Sequence, residues 1–274
     1  MKAVQVTTQP GGRFKIEKLP LPSIQRRGDT GAEKYRQQAK GGTDTKNFTP
    51  LPADFLRTIV LSEGRFNGLA TEPRPLLTAV MSGAATLQAG TETAELQIGD
   101  LVLTDGKSTD AVALQARGIV RLVQLGISAE FPGEDAEIQP PGAATARPEG
   151  EQILKRVYRG AGTESAFFAD FPEIFPATRN DWSRQYSLRG FRMIYWDQGE
   201  MDYHPCVLSQ MGIFLSGEHR TDVRGGGGQS FALCAGDICL TEDTTGEGHL
   251  NRVTGGCHAI VIVLGENDNW PLKT

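Results

Sequence analysis

All four histidines of this 274-residue chain fall between His204 and His258. The first opens a block with His204, Cys206 and Gln210, closed by Gly217. A second block runs from Gly236-Asp237 through Glu242 to His249. Imidazole nitrogens and a thiol are donors that hold transition-type metals, and imidazole also passes protons near neutral pH. His204 and Cys206 are two residues apart and share a face on a regular strand, and Gln210 keeps that parity. His249, from a later strand, can reach the same hollow. Two chemistries are open to this set. His204, Cys206, Gln210 and His249 can surround one divalent ion. Alternatively, His204, His249 and Glu242 can serve as acid–base groups, since a carboxylate beside an imidazole is a common proton-transfer pair. Tyr195, Trp196 and Tyr203 adjoin the first block. Tyr195, Tyr203 and Gln210 are the candidates for contact with a small substrate.

Other reactive side chains read as structural. His219 stands between Glu218 and Arg220 just after the Ser216-Gly217 turn, which predicts a solvated hairpin position. His258 follows Cys257 at the start of an apolar run and is expected in the core or at an edge. Glu242 and Asp243 lead into Thr244-Thr245-Gly246, where carboxylates also form turns. The run Gly225–Gly228 precedes no helix, so it reads as a hairpin turn and not as a phosphate loop. The four cysteines form no CxxC pair, and they are expected as buried, reduced thiols.

The elements that must position these groups are strands. Apolar runs are short and separated by turn residues, at the spacing of an all-β sandwich or barrel. The chain also repeats itself. LRTIVLSEG (56–64) parallels FRMIYWDQG (191–199), and LLTAVMSG (76–83) parallels MGIFLSG (211–217). IGDLVLTD (98–105) parallels AGDICLTE (235–242), and GIVRLVQLG (118–126) parallels CHAIVIVLG (257–265). The offset stays near ~135 residues in all four blocks. The first copy has LATEPRPL at 69–76 where the second has its His204–Gln210 block. Asp105 stands at the position of Glu242, and no histidine follows it. The expected units are therefore 1–127 and 151–274. A polar insertion spans about 23–47, with one short helical turn over 32–38, and residues 128–150 form a linker.

The register His204-x-Cys206-x(3)-Gln210-x(6)-Gly217, followed by Gly236-Asp237 and a later His249, resembles the two motifs of the cupin superfamily. The ending EDTTGEGH (242–249) resembles that of a subgroup of small cupins. With the duplication, the chain looks like a bicupin: all-β, two jelly-roll barrels in tandem, the first degenerate. The resemblance implies one divalent metal, Fe, Mn, Ni or Zn, in the C-terminal barrel and none in the N-terminal one. It implies oxygenase or isomerase chemistry on a small molecule. Where the family pattern has a second His and a Glu, this chain has Cys206 and Gln210. Two further readings therefore stay open: a metal-free binding or regulatory cupin, and an isomerase or cyclase that uses His and carboxylate alone.

A formal charge of −5 argues against a general nucleic-acid binder. No apolar run is long enough for a membrane helix, and the N-terminus has no signal-like h-region. The expectations are a cytoplasmic protein with a small-molecule ligand, either a monomeric pseudo-dimer or a homodimer.

Overall fold

The computed structural model describes residues 1–19, 23–26 (backbone only), 50–107, 111–128, 147, 151–171, 173–206 and 208–264. The helical turn expected over 32–38 and nearly all of the linker lie outside this set. The described residues form no α-helix, only strands and one 3-10 turn, Gly225–Gly227. None is a helix long and apolar enough to cross a membrane.

Two compact units divide the chain. One comprises Met1–Pro22, Pro52–Ile138 and Glu173–Leu188, the other Ser23–Leu51, Gln139–Pro172 and Arg189–Thr274. The units are thus not simple sequence halves. Strand β3 (Ser23–Arg26), in the stretch expected as a polar insertion, pairs in parallel with β13 (Gly190–Trp196) of the second unit. Strand β12 (Tyr186–Ser187) pairs with β4 (Ala53–Leu61) of the first.

Each unit is built on a nine-stranded mixed sheet. In the first, β6 (Leu76–Ala89) and β9 (Val112–Ile127) are long strands paired along their whole length. One end of the pair carries β8 (Leu101–Thr104) and β4; the other carries β7 (Glu92–Gln97) and β5 (Gly64–Phe66). The second unit repeats this. Strands β15 (Gln210–Val223) and β18 (His249–Val263) are the long pair. They carry β17 (Ile238–Thr241) and β13 at one end, and β16 (Gln229–Leu233) and β14 (Gly199–His204) at the other. Strands β1 (Ala3–Thr8) and β10 (Leu154–Arg159) run parallel to β8 and β17, each doubled back by a hairpin to β2 (Phe14–Lys18) or β11 (Ala166–Asp170).

The long strands bend where the register shifts, between Val80 and Ala84 in one copy and between Phe214 and Glu218 in the other. Bulges of this kind fold one sheet into two facing layers. A glycine sits at each bend: Gly83 at φ 73° and Gly217 at φ 74°. A Cβ on Gly217 would stand 1.9 Å from the Gly256 carbonyl oxygen, so only glycine fits. Val223, Leu233 and Val253 from one layer join Ile194, Phe214 and Val261 from the other in one buried cluster. The first unit packs alike, with Leu87, Leu96 and Leu114 against Val6, Ile59 and Leu122.

The Gly-Asp pair repeated in the sequence holds the bent sheet to its lead-in strand. Asp237 accepts from the backbone N–H groups of Ile153 and Cys234, each at 2.8 Å, and pairs with Arg147. Asp100 accepts from those of Lys2 at 2.6 Å and Gln97 at 3.0 Å. Both carboxylates are buried, and both serve the fold in matching places.

Candidate metal and ligand site in the C-terminal unit

Strand parity decides what enters the hollow of the second unit. His249 and Asn251 alternate inward at the start of β18, and His219 and Thr221 do so on β15 opposite, where Thr221 pairs with Asn251. With Gln210 and Thr241 they form the polar wall of a cavity of about 50 Å³. Trp196, Phe214, Leu233, Cys239 and Val261 supply its apolar wall.

His204 faces His249 across the β14–β18 pairing, their ring centroids 5.0 Å apart. Gly248, at φ 74°, makes this approach possible: a Cβ there would lie 1.9 Å from the His204 carbonyl oxygen. Both rings have their tautomers set by an acceptor. His204 Nδ1–H donates to the Asp202 carbonyl at 2.6 Å, and His249 Nδ1–H donates to Asp243 Oδ2 at 2.7 Å. In the neutral form of each ring the lone pair falls on Nε2.

Cys206, Asp243 and His249 offer ligand atoms that all lie within 4.8 Å of one another, and all three residues are buried. The Cys206 backbone N–H donates to the Asp243 carbonyl at 3.0 Å, which fixes the two side chains relative to each other. Gln210 Nε2 donates to Cys206 Sγ at 3.4 Å. Burial first, then the Asp243 carboxylate, push the Cys206 thiol well above the ordinary thiol range. The other Asp243 oxygen, Oδ1, is buried without a hydrogen-bond partner among the described residues.

The sequence candidates thus divide. His204, Cys206, Gln210 and His249 converge, though His204 stands outside the tight cluster. Glu242 does not face the cavity. It lies on the opposite face from Thr241 and is held by Arg156 in an ion pair. The carboxylate of the site is its neighbour Asp243. Tyr195 and Tyr203 also lie outside the cavity lining. The residue between two inward positions points outward, so Tyr195 packs against His258 with ring centroids 4.6 Å apart and planes tilted by 43°, while Trp196 faces in. Tyr203 is covered by the Arg224 guanidinium. His258 packs in the core, its Nδ1 3.1 Å from Ser216 Oγ. His219, expected in a solvated hairpin, is buried and lines the cavity, because β15 continues past Gly217 as far as Val223. The inward pairs His219/Thr221 and His249/Asn251 were visible as i, i+2 repeats; the extension of the strand across the bend was not. All four cysteines are unpaired and buried.

Among the described residues the first unit has no such set. By the strand registers, His219, Thr221, His249 and Asn251 correspond to Ala85, Leu87, Val112 and Leu114. These four, with Leu69, belong to its buried apolar cluster.

No protein-family model matches the chain, and no curated protein matches it. Solved structures do. A cupin 2 conserved barrel domain protein from Leptotrichia buccalis is 12% identical, over 78% of this chain and 85% of that one, with a TM-score of 0.40. A protein of unknown function from Pseudomonas syringae pv. tomato is 12% identical, over 76% and 81%, with a TM-score of 0.38. Oxalate decarboxylase from Bacillus subtilis, described with Mn(II) centres, is 15% identical, over 79% and 71%, with a TM-score of 0.31.

Proposed function

We propose that this chain is a two-domain cupin whose C-terminal unit is a metal-dependent enzyme acting on a small molecule, and whose N-terminal unit is structural. The observation that carries the reading is the buried Cys206–Asp243–His249 cluster, in which one Asp243 oxygen has no partner among the described residues. A carboxylate removed from water needs a cation or a full set of donors. The donor set fits an ion. His249 and His204 present Nε2 lone pairs and Cys206 supplies sulfur, while Asp243 supports the set through its hydrogen bond to His249 Nδ1. A set that mixes imidazole with sulfur suits Zn or Fe(II) better than Mn.

A metal bound there supplies Lewis-acid or redox chemistry. The chain's own residues do the rest. Asp243 holds the proton on His249 Nδ1 and so keeps Nε2 the donor nitrogen, the arrangement that orients metal-bound imidazoles elsewhere. Gln210 steadies the sulfur. Trp196 and Phe214 give the cavity an apolar wall. Because Cys206 is a thiol in the free protein, metal uptake releases a proton and strengthens as pH rises.

The test is elemental analysis of protein purified without a histidine tag. We expect stoichiometric metal, lost in His249→Ala and in Cys206→Ala and retained in Glu242→Gln. Negligible metal, with no response to chelators, would remove the reading. The 2.7 Å Asp243–His249 bond would then favour a second one, in which His249 Nε2 is a metal-free general base oriented by Asp243.

A further inference from the structure

His219 is absorbed by neither the metal cluster nor the fold. Its side chain is buried, 4% exposed, and lines the cavity. Its ring is flanked by Trp196 and Phe214, with centroids at 5.1 and 5.2 Å. Nε2 has no hydrogen-bond partner among the described residues. A buried ring nitrogen without a partner costs about 1–3 kcal/mol, so a position that keeps one has a ligand or a water in view.

The neighbours decide which kind of partner is missing. Thr221 Oγ1 donates to Asn251 Oδ1 at 3.0 Å, which uses its only proton. Toward His219 Nδ1, 3.5 Å away, the hydroxyl can then only accept. Nδ1 therefore carries the hydrogen and Nε2 the lone pair. Burial, with His249 and His204 nearby, holds the ring neutral by lowering its pKa to about 3. A neutral ring with an unprotonated Nε2 accepts a hydrogen bond and offers no charge to an anion.

We propose that His219 Nε2 is the recognition group of the cavity and selects small neutral molecules that present a hydroxyl or an N–H. The size of the hollow sets the scale. About 50 Å³ is room for a few waters or for the recognised end of a ligand, two or three heavy atoms, with the open side of the hollow left for the remainder. The inference rests on the cavity being a small-molecule site, but not on the metal.

The experiment uses methanol and acetonitrile, similar in size, of which only the first donates a hydrogen bond. Nitrogen-15 spectra of the labelled protein as purified, with its metal content measured, report the His219 tautomer and the environment of Nε2. Ligand-observed NMR reports entry of either probe. We expect the Nδ1–H tautomer, an Nε2 shift that saturates with methanol and no shift with acetonitrile. His219→Phe should weaken methanol binding at least fivefold, and His219→Gln, which keeps an acceptor, should retain it. If both probes enter and Nε2 ignores methanol, or if Nε2 carries the proton, the role of His219 is wrong while the small-molecule site stands. If neither probe enters, both ideas fall. Loss of metal with intact methanol binding would fault only the metal reading.

Discussion

At the residue scale, burial converts histidines from surface titrants into fixed neutral groups. His258, in the core against Tyr195 and Ser216, has its pKa pushed down by burial to about 4. Between that value and the ordinary one near 6.5, the unfolded chain binds a proton that the folded chain refuses. Stability contributed this way is present above pH 6.5 and lost as pH falls toward 4. By pH 5 the loss from His258 is about 2 kcal/mol. His219, held lower still, acts in the same direction. Urea midpoints measured from pH 7.5 to 4.5 should therefore decline below pH 6.5, and His258→Asn should flatten the decline. A midpoint independent of pH over that range would show that these rings are not buried neutral.

At the element scale, the site depends on strands that are long enough to be bent. β15 supplies Gln210 before its bend and His219 and Thr221 after it, and Gly217 makes the bend possible. Gly217→Ala meets both a left-handed backbone and the Gly256 carbonyl, and should cost about 2–4 kcal/mol. Gly162, at φ 70° with nothing within 4 Å of a Cβ, is the matched control, and Gly162→Ala should cost only about 1–2 kcal/mol. Denaturant titration distinguishes the two. Equal costs would mean that the carbonyl contact yields easily. Asp100 and Asp237 show why the sequence motif alone misleads at this scale. The Gly-Asp pair recurs in both copies, and in both its carboxylate is spent on backbone N–H groups.

At the scale of the whole molecule, duplication has left two units with one architecture and different interiors. The positions that carry His219, Thr221, His249 and Asn251 in one unit carry Ala85, Leu87, Val112 and Leu114 in the other. A hollow filled with aliphatic side chains offers no donor atoms. The chain should accordingly bind one metal equivalent, not two, and Zn or Fe titration of chelated protein measures this directly. Two tight equivalents would contradict the assignment of the first unit as structural.

Strand-sized apolar runs, the four matched blocks and the absence of histidine from the first copy were readable from the residues, because alternation and repetition are local patterns. So was the meeting of His204 with His249. Which of two adjacent residues faces inward was not. Glu242 and Asp243 are neighbours, as are Tyr195 and Trp196, and parity in each pair is set by the register with the partner strand. His219 was hidden for the same reason: whether a chain turns or continues at a glycine depends on the carbonyl packed against it from another strand. Side-chain type belongs to the sequence, but direction belongs to the sheet, and a shift of one residue reverses it.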